Sequence, residues 1–196
     1  MNPPSEPFKA IWLNINGINS NKTNSSFHLL IRLFVQSSYS IMFLQEPRLK
    51  EAKAGQLENA CNWPNSKVQG HFTSNQKGNG GVATIVKKSF LGVAKGFVVH
   101  ELALDECQHV TFSIEGTQFS FANVYMSSHS GAKRAALCKQ LQLLPPPGTI
   151  IGGDFNMVQD PALDMRRPLS VTTPYDNGGW QEMLDMQAHY DANGFT

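Results

Sequence analysis

The chain has 196 residues, 16 of them Lys or Arg and 15 Asp or Glu, for a formal net charge of +1. That length suits one domain with a sizeable core. Charged residues make up only 16%, against about 25% in typical domains, so bulk charge gives no strong claim on nucleic acid. Charge is uneven along the chain, however. Residues 1–149 carry a net +6 and residues 150–196 a net −5. Cys61, Cys107 and Cys138 are odd in number and widely spaced, which gives neither a disulfide framework nor a zinc pattern. No apolar stretch reaches membrane-spanning length, and the N-terminus lacks the basic-then-apolar pattern of a signal peptide. A soluble intracellular protein without membrane attachment is expected.

In chain order, residues 1–7 are Pro-rich and read as a loose arm, with one domain over 8–196. Phe8 to Ile15 reads as a strand closed by Asn16-Gly17. Asn24-Ser25 offers an N-cap, and Phe27, Leu30, Ile31, Phe34 and Val35 follow at helical spacing. Ser40 to Gln45 is a second apolar strand, running into Glu46-Pro47, and a short helix covers Lys50 to Ala60. Hairpin-like elements come next, with Gly78-Asn79-Gly80-Gly81 leading into a strand from Val82 to Val86. Gln108 to Tyr125 alternates on either side of Glu115-Gly116, an antiparallel hairpin. Ala132 to Leu144 is an amphipathic helix stopped by Pro145-Pro146-Pro147. Thr149 to Ile151 reads as a strand buried on both faces, followed by a polar loop to about Asn177 and a helix near Trp180 to Ala188. βα crossovers mixed with hairpins predict an α/β fold with two packed mixed sheets and helices outside.

The apolar strands end in oxygen-bearing side chains: Asn14 and Asn16, then Glu46, then Asp154 and Asn156 beyond Gly152-Gly153. Ligand sites of α/β sheets lie at such carboxyl ends, and since two of these three strands precede a crossover helix, the strands are expected to be parallel neighbours sharing an edge. Asp154 and Asn156 alone read more readily as turn residues bonding to nearby backbone than as a site. The whole set, without a matching His or Cys cluster, favours Mg²⁺ or Mn²⁺ over zinc. Asn123-Val124-Tyr125 adds a tyrosine hydroxyl able to bond a phosphate oxygen, although a tyrosine there is also an ordinary aromatic edge residue.

Leu13-Asn14-Ile15-Asn16-Gly17, Leu44-Gln45-Glu46-Pro47, Gly80-Gly81-Val82-Ala83, Asn123-Val124-Tyr125 and Gly153-Asp154-Phe155-Asn156 come in an order and spacing that resembles the endonuclease/exonuclease/phosphatase superfamily. The chain is most similar to its LINE-type (non-LTR) retrotransposon endonuclease branch; Asn16-Gly17 followed by Ile18-Asn19-Ser20, and Asp164, fit that branch. The resemblance implies a four-layered α/β sandwich and Mg²⁺-dependent DNA nicking, with Glu46 as metal ligand and Asn14 and Asn16 close by. It further implies that Asp154 orients or deprotonates the attacking water and that Asn156 and Tyr125 hold the scissile phosphate. Asn123, Arg166 and Arg167 would contact phosphate or DNA. A nuclear location and a C-terminal reverse transcriptase partner are likewise implied.

The sequence departs from the pattern twice. Met126-Ser127-Ser128-His129 stands where the family has Tyr-x-Pro-Asn continuing from the tyrosine. The terminal Ser-x-Ile-Asp-like strand and Ser-Asp-His motif are not found, and neither His129 nor His189 takes the place of the motif's histidine. The expectation is therefore a sandwich incomplete at its C-terminus, with weak or no activity as this chain. The alternatives are a small-phosphoester phosphatase and a non-catalytic nucleic-acid or partner-binding module. In the latter, Lys87-Lys88, Lys133-Arg134 and Arg166-Arg167 are either phosphate contacts or merely solvated faces.

Overall fold

The computed structural model describes residues 8–18, 26–73, 77–144, 149–157 and 180–192. The first half contains β1 (Ala10–Asn14), α1 (Ser26–Gln36), β2 (Ile41–Gln45), α2 (Glu51–Asn62), β3 (Val68–Phe72), β4 (Val82–Lys87) and the single turn α3 (Lys88–Leu91). The second half contains β5 (Lys95–Ala103), β6 (Cys107–Ile114), β7 (Thr117–Tyr125), α4 (Gly131–Leu141), β8 (Thr149–Asp154) and α5 (Trp180–Ala192).

The described strands form two four-stranded sheets, ordered β1-β2-β4-β3 and β5-β6-β7-β8. Each has one parallel pair at an edge, β1 with β2 and β7 with β8, and antiparallel pairs elsewhere. Read inward from β1 and from β8, the two sheets repeat the same pattern of strand directions. The hairpin about Glu115-Gly116 is β6–β7, running in unbroken register from Ile114–Thr117 to Cys107–Val124. Glu115 and Gly116 both take positive φ, 50° and 85°, so the turn twists the way the flanking strands do.

Every residue of β2 is buried, because the strand is covered on both faces. Ile41 and Phe43 face the second sheet, in a cluster with Val86, Phe90, Val110, Phe112 and Phe121. Met42 and Leu44 face outward, against Phe27 and Phe34 of α1 and Leu57 and Cys61 of α2. On the far side, α4 and α5 cover the second sheet through Leu137, Leu141 and Met186 packed with Ala122 and Val124. The order is helices, sheet, sheet, helices, which is the four-layered sandwich the sequence predicts.

The layer between the sheets changes character along its length. At one end it is aromatic: Phe8 lies edge-on to Phe112, Phe119 and Phe121 with ring centroids 4.9–5.9 Å apart, and Trp12 stacks on Phe43 at 4.8 Å. At the other end, near the last residues of β2 and β7, it is polar. Gln45 donates from Nε2 to Asn123 Oδ1 at 2.6 Å, and Thr84 Oγ1 donates to Gln108 Oε1 at 2.8 Å. All four side chains are buried. Buried amides and hydroxyls are costly unless paired, so these pairs fix one register of sheet on sheet.

Two expectations need correction. The strand at Thr149–Ile151 does not neighbour β1 and β2; it belongs to the other sheet, and its carboxyl end meets that of β1 across the interface. Nor is it buried on both faces, since Ile150 is 51% exposed. The middle third is built of antiparallel neighbours as expected, β3 with β4 and then β5 with β6 and β6 with β7. Residues 1–7, the expected cap Asn24-Ser25, the prolines 145–147 and the loop from 158 to 179 lie outside the described residues.

Candidate active site

Two turns of the same design end β1 and β8. Asn14 Oδ1 accepts from the Asn16 backbone N–H at 3.0 Å, and Asp154 Oδ1 accepts from that of Asn156 at 2.9 Å. Asn16 and Asn156 both take φ 47°, a left-handed conformation that asparagine tolerates better than most residues. The remaining polar atoms face each other, with Asn14 Nδ2 donating to Asp154 Oδ2 at 2.7 Å. One oxygen of Asp154 thus shapes the loop, as the turn reading expects, and the other faces the opposite sheet. Asn156 donates from Nδ2 to the Met126 carbonyl at 2.8 Å, which ties this loop to the end of β7.

Beside Asn14, β2 runs into Glu46-Pro47-Arg48. Glu46 and Arg48 both take φ 53°, which for such side chains costs about 1–2 kcal/mol each, and a residue before proline is ordinarily extended. Backbone bonds hold the segment there from both sides. Glu46 N–H donates to the Gly81 carbonyl at 3.0 Å and Arg48 N–H to the Gly80 carbonyl at 2.9 Å, while the Glu46 and Pro47 carbonyls accept from Gly17 and Ile18. Glu46 Oε2 then accepts two bonds from Arg48, from Nε at 3.0 Å and Nη2 at 2.5 Å. Strain held by surrounding structure in this way is a mark of functional segments.

Tyr125, the last residue of β7, pairs in register with Asp154. Its ring lies against Gly80, where a Cβ would come within 2.6 Å of Cε1, so glycine is required there for contact as well as for its φ of 67°. Burial, a hydrogen bond to the Glu46 carboxylate and the negative charges of Glu46 and Asp154 push the Tyr125 phenol up to about 12, against the opposing pull of Arg48. At neutral pH it is therefore a proton donor. Glu46, Arg48, Gly80, Tyr125, His129 and Lys133 line one open cleft of about 530 Å³.

The predicted residues divide accordingly. Glu46 and Tyr125 reach the cleft, and Asn14, Asp154 and Asn156 make the bonded platform next to it. Asn123 does not face the cleft. It is fully buried, bonded to Gln45 and donating to the Leu44 and Ala83 carbonyls at 3.2 and 3.0 Å, and so serves as a strut between the sheets. Its place on the inward face of β7, alternating with Val124, sets this orientation. Of the basic pairs, Lys133 lines the cleft, but Arg134 is buried and donates to the Ser127 carbonyl at 2.7 Å. Lys87 lies at the opposite end of the sheet, beside the start of β2, with Lys88 next to it. Arg166, Arg167 and Asp164 lie outside the described residues, as does the side chain of His189. Arg48, Gly80 and His129 were not among the expected site residues. The Glu46-Pro47-Arg48 spacing was the one available signal, but two left-handed residues about a proline are not readable from residue type.

Among the described residues, no three His, Cys, Asp or Glu side chains are grouped to hold a metal ion. Glu46, Asn14 and Asp154 offer carboxylate and amide oxygens, and the cleft lining adds a single imidazole, that of His129, and no sulfur. That fits a small hard cation that uses one or two protein carboxylates and keeps most of its water, and it does not fit zinc.

Residues 11–185 match the Endonuclease/Exonuclease/phosphatase family. No curated protein matches the sequence significantly. Among solved structures, the chain resembles the endonuclease domain of TRAS1, a telomere-specific non-LTR retrotransposon, at 14% identity and a TM-score of 0.58, covering 94% of this chain and 71% of that one. It resembles AP endonuclease LMAP from Leishmania major at 15% identity and 0.64, covering 93% and 66%. The 3′ phosphatase NExo from Neisseria, solved with a product DNA hairpin, gives 19% and 0.56, covering 92% and 71%. At these identities the likeness is one of fold.

Proposed function

Because the chain belongs to the endonuclease/exonuclease/phosphatase family, we propose that it is a phosphodiester hydrolase, a Mg²⁺-dependent DNA-nicking endonuclease of the non-LTR retrotransposon kind. The observation that carries the reading is the convergence of Glu46, Tyr125 and the Asn14–Asp154 pair from both sheets at one cleft edge. Hydrolysis needs a positioned water, neutralised non-bridging oxygens and help for the leaving oxygen. Glu46 would hold Mg²⁺ or Mn²⁺, which when bound supplies charge neutralisation. Asp154, oriented by Asn14, is the group to align or deprotonate water; protonated Tyr125 and Asn156 bind the phosphate. Lys133 and Arg48 are the cleft's cationic groups for phosphate oxygens, beside the carboxylates of Glu46, Asp105 and Glu106. A reverse transcriptase partner and action in the nucleus follow from the retrotransposon reading.

Supercoiled plasmid incubated with Mg²⁺ tests this. The expected product is nicked circle, reduced at least about a hundredfold in Asp154→Ala and Glu46→Ala. Nicking that survives either substitution overturns the assignment. A second reading, a nucleic-acid-binding module without catalysis, draws on the fact that Glu46 is already occupied by Arg48. It predicts no nicking, with salt-dependent DNA binding unchanged by Glu46→Ala.

A further inference from the structure

We propose that the Arg48 guanidinium is a resident counter-cation of Glu46, which a divalent metal ion must displace in order to bind. The inference rests on the reading of Glu46 as the metal ligand. Two N–H groups of Arg48 converge on the single oxygen Oε2. An oxygen that accepts two such bonds has its lone pairs committed. A cation reaching Glu46 therefore meets a carboxylate whose charge is already paired and whose Oε2 is occupied by the guanidinium.

The backbone shows that this pair is built in. Ordinary surface ion pairs join mobile side chains and contribute little. Here both residues are held left-handed on either side of Pro47, each by a backbone bond to the Gly80-Gly81 loop. The two side chains have very different freedom. That of Glu46 is 13% exposed and that of Arg48 50%, so the arginine has open cleft to move into and the glutamate does not. Arginine does not lose its proton in proteins, so the charge is relieved only by moving the side chain. A freed guanidinium stays in the same cleft as Lys133, and its planar fork suits phosphate oxygens. Metal entry would thereby release a phosphate-binding group.

The test uses Mg²⁺ alone, without nucleic acid, titrated into the full chain by calorimetry. Arg48→Ala and Arg48→Gln should bind Mg²⁺ about three- to fivefold more tightly than the parent, the change expected from losing an exposed pair. In the parent, the Nε–H resonance absent from both variants should shift with the same midpoint as the binding heat. Unchanged or weaker affinity in the variants, or an Arg48 resonance that stays in place at saturation, overturns the proposal. Glu46→Gln separates the two claims. If it abolishes Mg²⁺ binding while the Arg48 variants bind as the parent does, the metal reading holds and the displacement fails. If it leaves Mg²⁺ affinity unchanged, Glu46 is not the ligand and both fall.

Discussion

Asn14 and Asp154 are 140 residues apart in sequence, yet the amide of one donates to the carboxylate of the other at 2.7 Å. The bond closes two equivalent turns, one from each sheet, so the orientation of Asp154 depends on a residue of the opposite half. Asn14→Ala should therefore leave the fold in place and lower nicking by about tenfold or more, since a positioning bond to a charged group is lost. Single-turnover rates with matched circular dichroism spectra check this. A loss of activity confined to DNA affinity would show that Asn14 does not act through Asp154.

Asn123 carries a different prediction, because it holds the sheets together and does not face the cleft. Asn123→Ala leaves Gln45 and the Leu44 and Ala83 carbonyls without their buried partner. The expected cost is about 2–4 kcal/mol in denaturant unfolding, from several uncompensated groups and a small cavity. A change below about 0.5 kcal/mol, with activity lost, would put Asn123 in direct contact with substrate.

Stability should also fall on acidification through the histidine range. Burial holds His71 below its usual 6.5, against the opposing pull of Glu58, and burial together with His100 holds His109 below 6.5. As pH falls below 6.5, the unfolded chain takes up protons that the folded chain does not yet bind. Stability present above 6.5 is therefore lost progressively down to the folded-state values. Glu106, raised chiefly by burial, acts in the opposite sense in the carboxylate range. Melting temperature measured between about pH 5 and 8 should drop toward the acid end. The drop should flatten in the double variant His71→Gln, His109→Gln; an identical profile would exclude the two histidines as its source.

Much of this was legible in residue order. Alternation in Gln108–Tyr125 located a hairpin because period-two burial is a local property. The strand-end residues Asn14, Glu46 and Asp154 were identified because a polar side chain after an apolar strand stands out. What sequence could not supply was pairing across the sandwich. Nothing near Thr149 says that this strand joins β7 and not β1, since both are apolar edges. Asn123 illustrates the same limit. An amide at a strand end reads as a ligand-facing group, and only the partner sheet, with Gln45 opposite, turns it into a strut. Arg48 was missed because its meeting with Glu46 depends on backbone angles that residue type does not dictate.

The graded layer between the sheets has one more consequence. Aromatic contacts such as those of Phe8, Phe112 and Phe119 accept several tilted and offset ring arrangements, whereas the Gln45–Asn123, Thr84–Gln108 and Asn14–Asp154 bonds weaken steeply with distance and angle. Shifting one sheet on the other therefore costs most at the polar end. The cleft edge lies at that end, where the register of the two sheets is held by directional bonds.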